Sequence, residues 1–330
     1  MRRREFIAGI GCSAVASMVA SRDGRAQGRT ARVGMLMDIG ETDPGAHGFV
    51  DPFEAQLETA GWHKGRNLEL IYRWGSKPEI IKHNAEDLVQ LAPDILLAFG
   101  TPALIPLHKA TTTIPIVFTS VSDPVAQGFV ASLSHPGGNL TGFSNFELNI
   151  GSKWLQLLKD IAPSVTDVAV LFNPRTSPYN ALWMRSIDAA APGFGMTAVQ
   201  ASVQSDEDIH RTIDLLSKKP GPSLVVPADS FTYEHADLIA SLANSNRLPA
   251  IYAFPLFAHR GGLIAYGVDL AEQFRQAAGY IDRILKGDKP GDLPIQAPTR
   301  YTMTVNLTTA KALGLSIPPN LLALADEVIE

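Results

Sequence analysis

The sequence predicts an α/β protein made of two lobes, each built around a mainly parallel β-sheet flanked by helices. From residue 32 onward, short apolar runs rich in Val, Ile, Leu and Phe alternate with longer amphipathic segments, a pattern typical of repeated βαβ units. A turn-rich stretch at 134–139 interrupts the pattern, and the alternation restarts after it. The chain has 330 residues, of which 45% are hydrophobic, and this is enough to bury two separate cores.

The elements follow from the positions of the apolar runs and of the residues that end them. Helices are predicted at 52–60, 79–91, 153–159 and 273–285, where apolar residues recur at helical spacing before Gly or Pro. Strands are predicted at 33–37, 68–72, 95–99, 116–119, 168–172, 197–201, 224–227, 250–253 and 263–267. We expect the chain to cross between the lobes at 140–143, and again after the Pro- and Gly-rich interval 286–294.

The first 26 residues have the three parts of an export signal. A basic start that includes Arg3 and Arg4 precedes an apolar run at 7–20, and small residues up to Ala26 form a cleavage region. The apolar run is shorter than the roughly 18 residues that span a bilayer, so cleavage after Ala26 is favoured over a permanent anchor. The paired arginines predict export by the twin-arginine route to the periplasm, with the general secretory route and lipidation at Cys12 as alternatives.

Composition and motif content argue against several other classes of protein. Removal of residues 1–26 takes away five Lys/Arg and two Asp/Glu, so the net charge changes from −5 to −8, and no basic run remains that would bind nucleic acid. Cys12 is the only cysteine, and the eight histidines lack the paired spacing of metal ligands. No P-loop, Gly-x-Gly-x-x-Gly or Gly-x-Ser-x-Gly motif is present. The sequence therefore predicts no metal, no cofactor and no catalysis.

Polar residues follow several predicted strands, at the carboxyl ends where an open parallel sheet binds ligands. They are Asp38, Ser120, Asp123, Asn173, Asp229 and Asp269. After the strand at 95–99, Gly100, Thr101 and Pro102 begin a helix whose free N–H groups favour an anion such as a carboxylate. Each of these residues taken alone also fits a turn or a helix cap. Tyr252 lies beside the same rim, where a small organic ligand could stack on it, with core packing as the alternative.

Six segments of the chain together carry a family resemblance. They are 99–102, 114–118, 122–125, 135–142, 261–269 and 310–319, with the sequences FGTP, IPIVF, SDPV, HPGGNLTG, GGLIAYGVD and AKALGLSIPP. In these segments the chain resembles the extracytoplasmic substrate-binding proteins of ABC transporters, in the family that includes tryptophan-binding-type members. The resemblance spans essentially the whole chain.

The resemblance implies two Rossmann-like lobes of the type I periplasmic-binding-protein architecture, joined by three crossover hinge segments. Lobe 1 would comprise 30–142 and 258–296, and lobe 2 would comprise 143–257 and 297–330. The function implied is capture of a small ligand between the lobes, such as an amino acid or another small carboxylate or aromatic compound. The closed protein, expected to be a monomer, would then deliver the ligand to an ABC permease in the inner membrane.

The same resemblance implies a binding cleft between the lobes. The residues implied are Asp38, Gly100, Thr101, Ser120 and Asp123 from the first lobe, and Asn173, Asp229 and Tyr252 from the second. The ligand carboxylate would lie at Thr101 and the backbone after it. Asp269 would bind a ligand amine or hydroxyl.

Two other functions remain open from the sequence. One is an exported α/β hydrolase acting at the rim between Thr101 and Asp123, although this alternative lacks a nucleophile and a base. The other is a two-lobed sensor that docks on a membrane receptor instead of a permease.

Overall fold

The computed structural model describes residues 30–43, 45–145, 147 and 149–330. The predicted signal peptide at 1–26 lies outside the described residues, together with its arginine pair Arg3 and Arg4, its cleavage region at Ala26 and the lipidation alternative at Cys12. None of the described helices is both long enough and apolar enough to cross a membrane.

The first lobe is built on a five-stranded sheet in which all neighbouring strands run parallel. Its strands are β1 (Ala31–Met37), β2 (Leu68–Trp74), β3 (Ile95–Phe99), β4 (Ile116–Val121) and β5 (Leu140–Ser144). Their spatial order is β2-β1-β3-β4-β5. Strands β3 and β4 are buried along their whole length, as continuous apolar runs predict for the central strands of a parallel sheet.

The second lobe is built on a seven-stranded sheet in the order β12-β11-β10-β9-β8-β6-β7. Its strands are β6 (Asp167–Phe172), β7 (Thr197–Ser202), β8 (Pro222–Val226), β9 (Ala250–Tyr252), β10 (Ile264–Val268), β11 (Tyr301–Asn306) and β12 (Glu327–Ile329). The strand pairs are parallel, except that β10 and β11 run antiparallel. The two sheets confirm the predicted fold class of two α/β lobes.

Helices cover both faces of each sheet. They are α1 (His47–Thr59), α2 (Pro78–Gln90), α3 (Thr101–Ala110), α4 (Ile150–Ile161), α5 (Asn180–Ala190), α6 (Asp206–Ser217), α7 (Ser230–Glu234), α8 (Ala236–Ser245), α9 (Pro255–His259), α10 (Leu270–Leu285), α11 (Leu307–Ala312) and α12 (Pro319–Leu322). Helices α1 and α10 pack on one face of the first sheet, and α2 and α3 pack on the other. On the second sheet, α4 and α5 lie opposite α6 and α8.

Helix α10 belongs to the first lobe although the strand before it belongs to the second. Its residue Phe274 packs against Phe49 of α1, with ring centroids 4.7 Å apart, and against Phe99 of β3 at 5.5 Å. Full burial of an aromatic or aliphatic side chain stabilises a fold by about 1.5–3 kcal/mol. The apolar face of α10 therefore anchors this segment on the first sheet.

The chain passes between the lobes three times: after β5, between β10 and α10, and before β11. The predicted crossover at 140–143 is corrected, because these residues form β5 and the crossing follows them. The predicted assignment of residues 258–268 to lobe 1 is also corrected, since β10 pairs with β9 and β11 in the second sheet. An apolar run of this length fits either sheet, so its sequence alone does not identify its neighbours.

Gly142 in β5 is required for the close approach of β5 to β4. Its φ is +152°, and a Cβ atom on it would lie 2.1 Å from the carbonyl oxygen of Phe118. We expect Gly142→Ala to lower the free energy of unfolding by at least about 2 kcal/mol, measured by urea denaturation. Gly279→Ala in α10 is the control: no atom lies within 4 Å of its added Cβ, so stability should stay the same or rise by up to about 1 kcal/mol. Equal unfolding midpoints for the two variants would contradict this account.

Candidate functional site

The carboxyl ends of the two sheets face each other across a narrow gap between the lobes. One end of this gap, which we call the acidic cavity, has a volume of about 30 Å³. It is lined by Asp38, Ile39, Phe99, Gly100, Ser120 and Asn145 from the first lobe and by Tyr179, Ala228, Asp229, Ser230, Tyr233 and Phe254 from the second. The described residues that line it include two carboxyl groups and no Lys, Arg or His.

The adjoining end of the gap, which we call the aromatic cavity, has a volume of about 20 Å³. Its walls are Ser120, Asn145, Ile150, Trp154, Trp183, Ala228, Ala253, Phe254, Gly267, Val268, Leu270 and Tyr301. Four of these residues also line the acidic cavity, so the two cavities are neighbouring parts of one cleft. Spaces of this size admit one or two water-sized molecules. A ligand as large as an amino acid therefore needs the lobes to move apart.

Asp38 follows β1 and is buried in the acidic cavity, with 4% of its surface exposed. Its Oδ1 atom has no hydrogen-bond partner among the described residues. Burial raises the pKa of Asp38 well above its ordinary value; the Ser230 side chain opposes this shift, and the charges of Asp229 and Glu234 add to it. Removal of the Asp38 proton is therefore costly unless a positive group lies beside the carboxylate.

Gly100 lets the Asp38 carboxyl pack directly against the start of α3. Its φ is +85°, and a Cβ atom on it would lie 3.0 Å from Asp38 Oδ2. Thr101, predicted as a helix cap, is instead the first residue of α3, which has no side-chain cap. The Thr101 hydroxyl is buried and accepts a hydrogen bond from the Ser122 N–H at 3.2 Å. The acid beside this helix start is thus Asp38 itself, and a ligand carboxylate there would meet a like group.

Asp229 follows β8 and organises the facing wall of the acidic cavity. Its Oδ2 accepts from the Asn173 N–H at 2.6 Å, and its Oδ1 accepts from the Thr176 hydroxyl at 2.5 Å and from the Phe231 N–H at 3.0 Å. Burial raises the pKa of Asp229 to about 6, against the opposing effect of these hydrogen bonds. Asn173 thus meets Asp229 through its backbone, while its own side chain accepts from the Arg175 N–H.

Ser120 and Asn145 form the polar corner that the two cavities share. The Asn145 side-chain amide donates to the Ser120 carbonyl at 3.1 Å and to the Ser120 hydroxyl oxygen at 3.2 Å. Ser120 has φ +56°, at a register shift between β4 and β5. Gln273 of α10 holds this conformation by accepting from the Ser120 N–H and donating to the Ser144 carbonyl. Because the Ser120 oxygen accepts from Asn145, its proton is directed elsewhere and can be donated to a ligand.

Five predicted site residues line neither cavity: Thr101, Asp123, Asn173, Tyr252 and Asp269. Tyr252 is fully buried and stacks on Phe257, with ring centroids 4.4 Å apart, on the face of the second sheet that packs against α9. Asp123 accepts from the Ala126 N–H within its own turn. Asp269 caps α10 by accepting from the Glu272 N–H and pairs with Arg300 at 3.4 Å. For both aspartates the local turn or cap accounts for the side chain.

Comparison with known proteins identifies the class to which this two-lobed cleft belongs. A family model described as ABC transporter substrate binding protein matches residues 42–329. The chain belongs to this family. Its members are solute-binding proteins and not enzymes, so the hydrolase alternative is removed.

Several relatives resemble this substrate-binding protein over most of its length. The tyrosine-binding protein of Clostridioides difficile strain R20291 is 27% identical over 285 residues, which are 86% of this chain and 80% of that protein. A conserved domain protein from Vibrio cholerae has 30% identity and a TM-score of 0.84, over 91% of this chain and 100% of that one. A domain from Streptococcus pneumoniae, crystallised with L-Trp, also has a TM-score of 0.84, at 24% identity and with the same coverage.

The lobes of this substrate-binding protein are arranged as in a closed form. A ligand-free, open substrate-binding protein with adhesive properties from Clostridium difficile gives a TM-score of only 0.68 at 25% identity, over 91% of this chain and 99% of that one. Contacts between the lobes agree with closure. The Tyr233 hydroxyl donates to Asp43 Oδ1 at 3.2 Å, and the Ser76 hydroxyl donates to Glu234.

Several residues that line the cleft of this substrate-binding protein were not predicted from the sequence. They are Asn145, Tyr179, Ser230, Tyr233, Phe254, Trp154 and Trp183. Tyr179 and Asn145 lie in loops, and Trp154 and Trp183 lie on helices that also fill the core of the second lobe. The signal available was the aromatic content of 252–257 for Phe254. Asn145 directly follows β5, a strand that was predicted as a crossover, and no strand-end pattern marks the others.

Proposed function

We propose that this protein captures an amino acid with an aromatic side chain between its lobes in the periplasm and delivers it to an ABC permease in the inner membrane. The observation that carries the proposal is the continuity of the cleft, in which a polar corner lies between an acidic end and an aromatic end. An aromatic amino acid has three matching parts: an ammonium group for the acidic end, a carboxylate for the polar corner and an apolar ring for the aromatic end. The tyrosine-binding relative and the relative crystallised with L-Trp support this ligand class.

The polar corner is suited to the ligand carboxylate. The Ser120 hydroxyl proton is free to donate, and the hydrogen bonds from Asn145 hold its oxygen in place. The aromatic cavity is suited to the ligand side chain, because Trp154 and Trp183 pack 5.5 Å apart at its wall and Phe254 borders both cavities. Aromatic pairs of this kind contribute about 0.5–1.5 kcal/mol beyond the burial of their area.

Delivery follows from closure of the lobes. A ligand that contacts both lobes stabilises a closed form, with the lobes further apart than in this structure, by its differential affinity for that form. The closed form then presents one composite surface, made from both lobes, to the permease. Export through the signal at 1–26 and action as a monomer belong to the same proposal.

Binding is tested by titration of the mature protein, residues 27–330, with the twenty amino acids by calorimetry and thermal unfolding. We expect an aromatic amino acid to bind, and at 100 times its Kd to add about 2.7 kcal/mol to the free energy of unfolding. Ser120→Ala should weaken this binding about tenfold through loss of one hydrogen bond to a charged group. Ser241→Ala, at an exposed position of α8, is the matched control and should leave affinity unchanged.

The outcomes separate the proposal from its alternatives. No binding of any aromatic amino acid would refute the ligand class. Uptake of the bound amino acid should be lost when the gene is deleted, and unchanged uptake would favour the sensor that docks on a membrane receptor.

A further inference from the structure

The acidic cavity contains a buried carboxyl oxygen that the protein itself leaves without a partner. Only 4% of the surface of Asp38 is exposed to solvent, and its Oδ1 has no hydrogen bond among the described residues. An unpaired buried polar atom is unfavourable, and the cost rises if the group is charged. Its position in the wall of the cleft leaves this oxygen available to a ligand.

The groups that face Asp38 are neutral or acidic. From the second lobe, Asp229 and Glu234 raise the pKa of Asp38 by their charge, and the Ser230 side chain lowers it. Tyr179 faces both Asp38 and Asp229, and burial together with their charges raises the pKa of its hydroxyl. Closure therefore brings carboxyl groups from opposite lobes towards each other. A positive charge between the lobes would offset this repulsion.

The two carboxyl groups are not equivalent as ligand contacts. Both oxygens of Asp229 already accept hydrogen bonds from Asn173, Thr176 and Phe231. Of these two carboxyl groups, that of Asp38 has an oxygen without a hydrogen-bond partner among the described residues. No described group of three or more His, Cys, Asp or Glu side chains is placed to hold a metal ion, so a metal would lack ligands here, whereas an ammonium group needs only hydrogen-bond acceptors.

We propose that Asp38 accepts a hydrogen bond from the protonated amino group of the ligand, and that this contact makes the protein select amino acids over the corresponding acids without an amino group. The inference rests on the proposed function and assigns the residue that binds the amino group of the ligand. The oxygens of Ser230 and Tyr179 lie in the same wall and can accept the remaining N–H groups. The ligand carboxylate then lies at Ser120 and Asn145, away from Asp38.

The test compares L-tryptophan with indole-3-propionate, which has the same ring and carboxylate and lacks the amino group. Calorimetry at pH 7 should show that the wild-type protein binds L-tryptophan at least about tenfold more tightly. Asp38→Asn should lose this preference, because its affinity for L-tryptophan falls while that for indole-3-propionate stays equal or rises. Asp123→Asn removes the same charge at another strand end, where the side chain accepts a hydrogen bond within its own turn and lines neither cavity, and should keep the preference.

A second readout follows the proton on Asp38. Because burial raises the pKa of Asp38 and an adjacent ammonium group would lower it again, affinity for L-tryptophan should rise with pH across the titration of Asp38 in the wild type, and this dependence should be absent from Asp38→Asn.

Each outcome decides between the inference and its competitors. Equal affinity of the wild type for both compounds, or equal loss of both in Asp38→Asn, would overturn the role of Asp38 while leaving capture of an aromatic acid intact. Binding of neither compound by the wild type would refute the proposed function and this inference with it. If Asp38→Asn does not fold, the affinities of the wild type for L-tryptophan and indole-3-propionate still decide whether the protein recognises the amino group.

Discussion

Asp229→Ala is expected to lower the free energy of unfolding by about 3–5 kcal/mol, because it removes the acceptor of two buried donors and one partly buried donor. The Asn173 N–H, the Thr176 hydroxyl and the Phe231 N–H would all lose their partner. Urea denaturation of the mature protein measures the effect. Asp214→Ala is the matched control, since its ion pair with Lys218 lies at the surface, and we expect a change within about 0.5 kcal/mol.

The pH dependence of the Asp229 effect has a definite sign. Its pKa rises from an ordinary value of 3.8 to about 6 in the folded protein, so between these values the folded state holds more protons than the unfolded state. Its contribution to stability is therefore fully present below about pH 4 and is lost as the pH rises through 6. The shift corresponds to about 3 kcal/mol.

The variant Asp229→Asn isolates this contribution from the other titrating groups. Its amide nitrogen cannot accept from the Asn173 N–H, and its side chain does not titrate. The loss of stability relative to the wild type should therefore be larger at pH 4.5 than at pH 7. A loss that stays constant, or that shrinks on acidification, would show that the Asp229 proton is not retained in the folded protein.

The sequence located the rim of the cleft because parallel strands end on one edge of a sheet. Asp38, Gly100 and Asp229 follow strands, Ser120 lies at the carboxyl end of β4, and all four line the acidic cavity. This inference needs no knowledge of distant contacts. The position of each residue along the chain determines that it lies at the rim.

The same pattern could not tell which rim residues face the cleft. Along β9 and the residue after it, Ala250 and Tyr252 pack in one core, and Ile251 and Ala253 pack in the other, as the two-residue repeat of an extended chain requires. Tyr252 was therefore one position away from the cleft side. Strand register and face depend on the whole sheet, and a short apolar run does not specify them.

The aromatic end of the cleft could not be predicted, because its residues come from helix packing. Trp154 lies on α4 and Trp183 on α5, and they meet because these helices pack together over the second sheet. Apolar residues at helical spacing predict a buried face. They do not predict that one edge of that face borders a ligand cleft.

Trp154→Ala is expected to affect both stability and ligand binding, because this side chain serves the core and the cleft at once. Trp154 is 1% exposed and donates from Nε1 to the Tyr266 carbonyl at 2.8 Å. Its removal should lower the free energy of unfolding by about 3–5 kcal/mol. Leu215→Ala is the control, because Leu215 is 58% exposed on α6 and should change stability by no more than about 0.5 kcal/mol.

Affinity measured on the folded fraction of Trp154→Ala then separates the two roles. If the aromatic cavity holds the ligand ring, affinity for L-tryptophan should fall about tenfold through loss of ring packing, and affinity for a small amino acid such as alanine should change little. Trp154→Phe keeps an aromatic face and should retain part of the preference. A variant that is less stable but binds L-tryptophan as tightly as the wild type would place the ligand ring elsewhere, since a side chain that only supports the core has no reason to distinguish one amino acid from another.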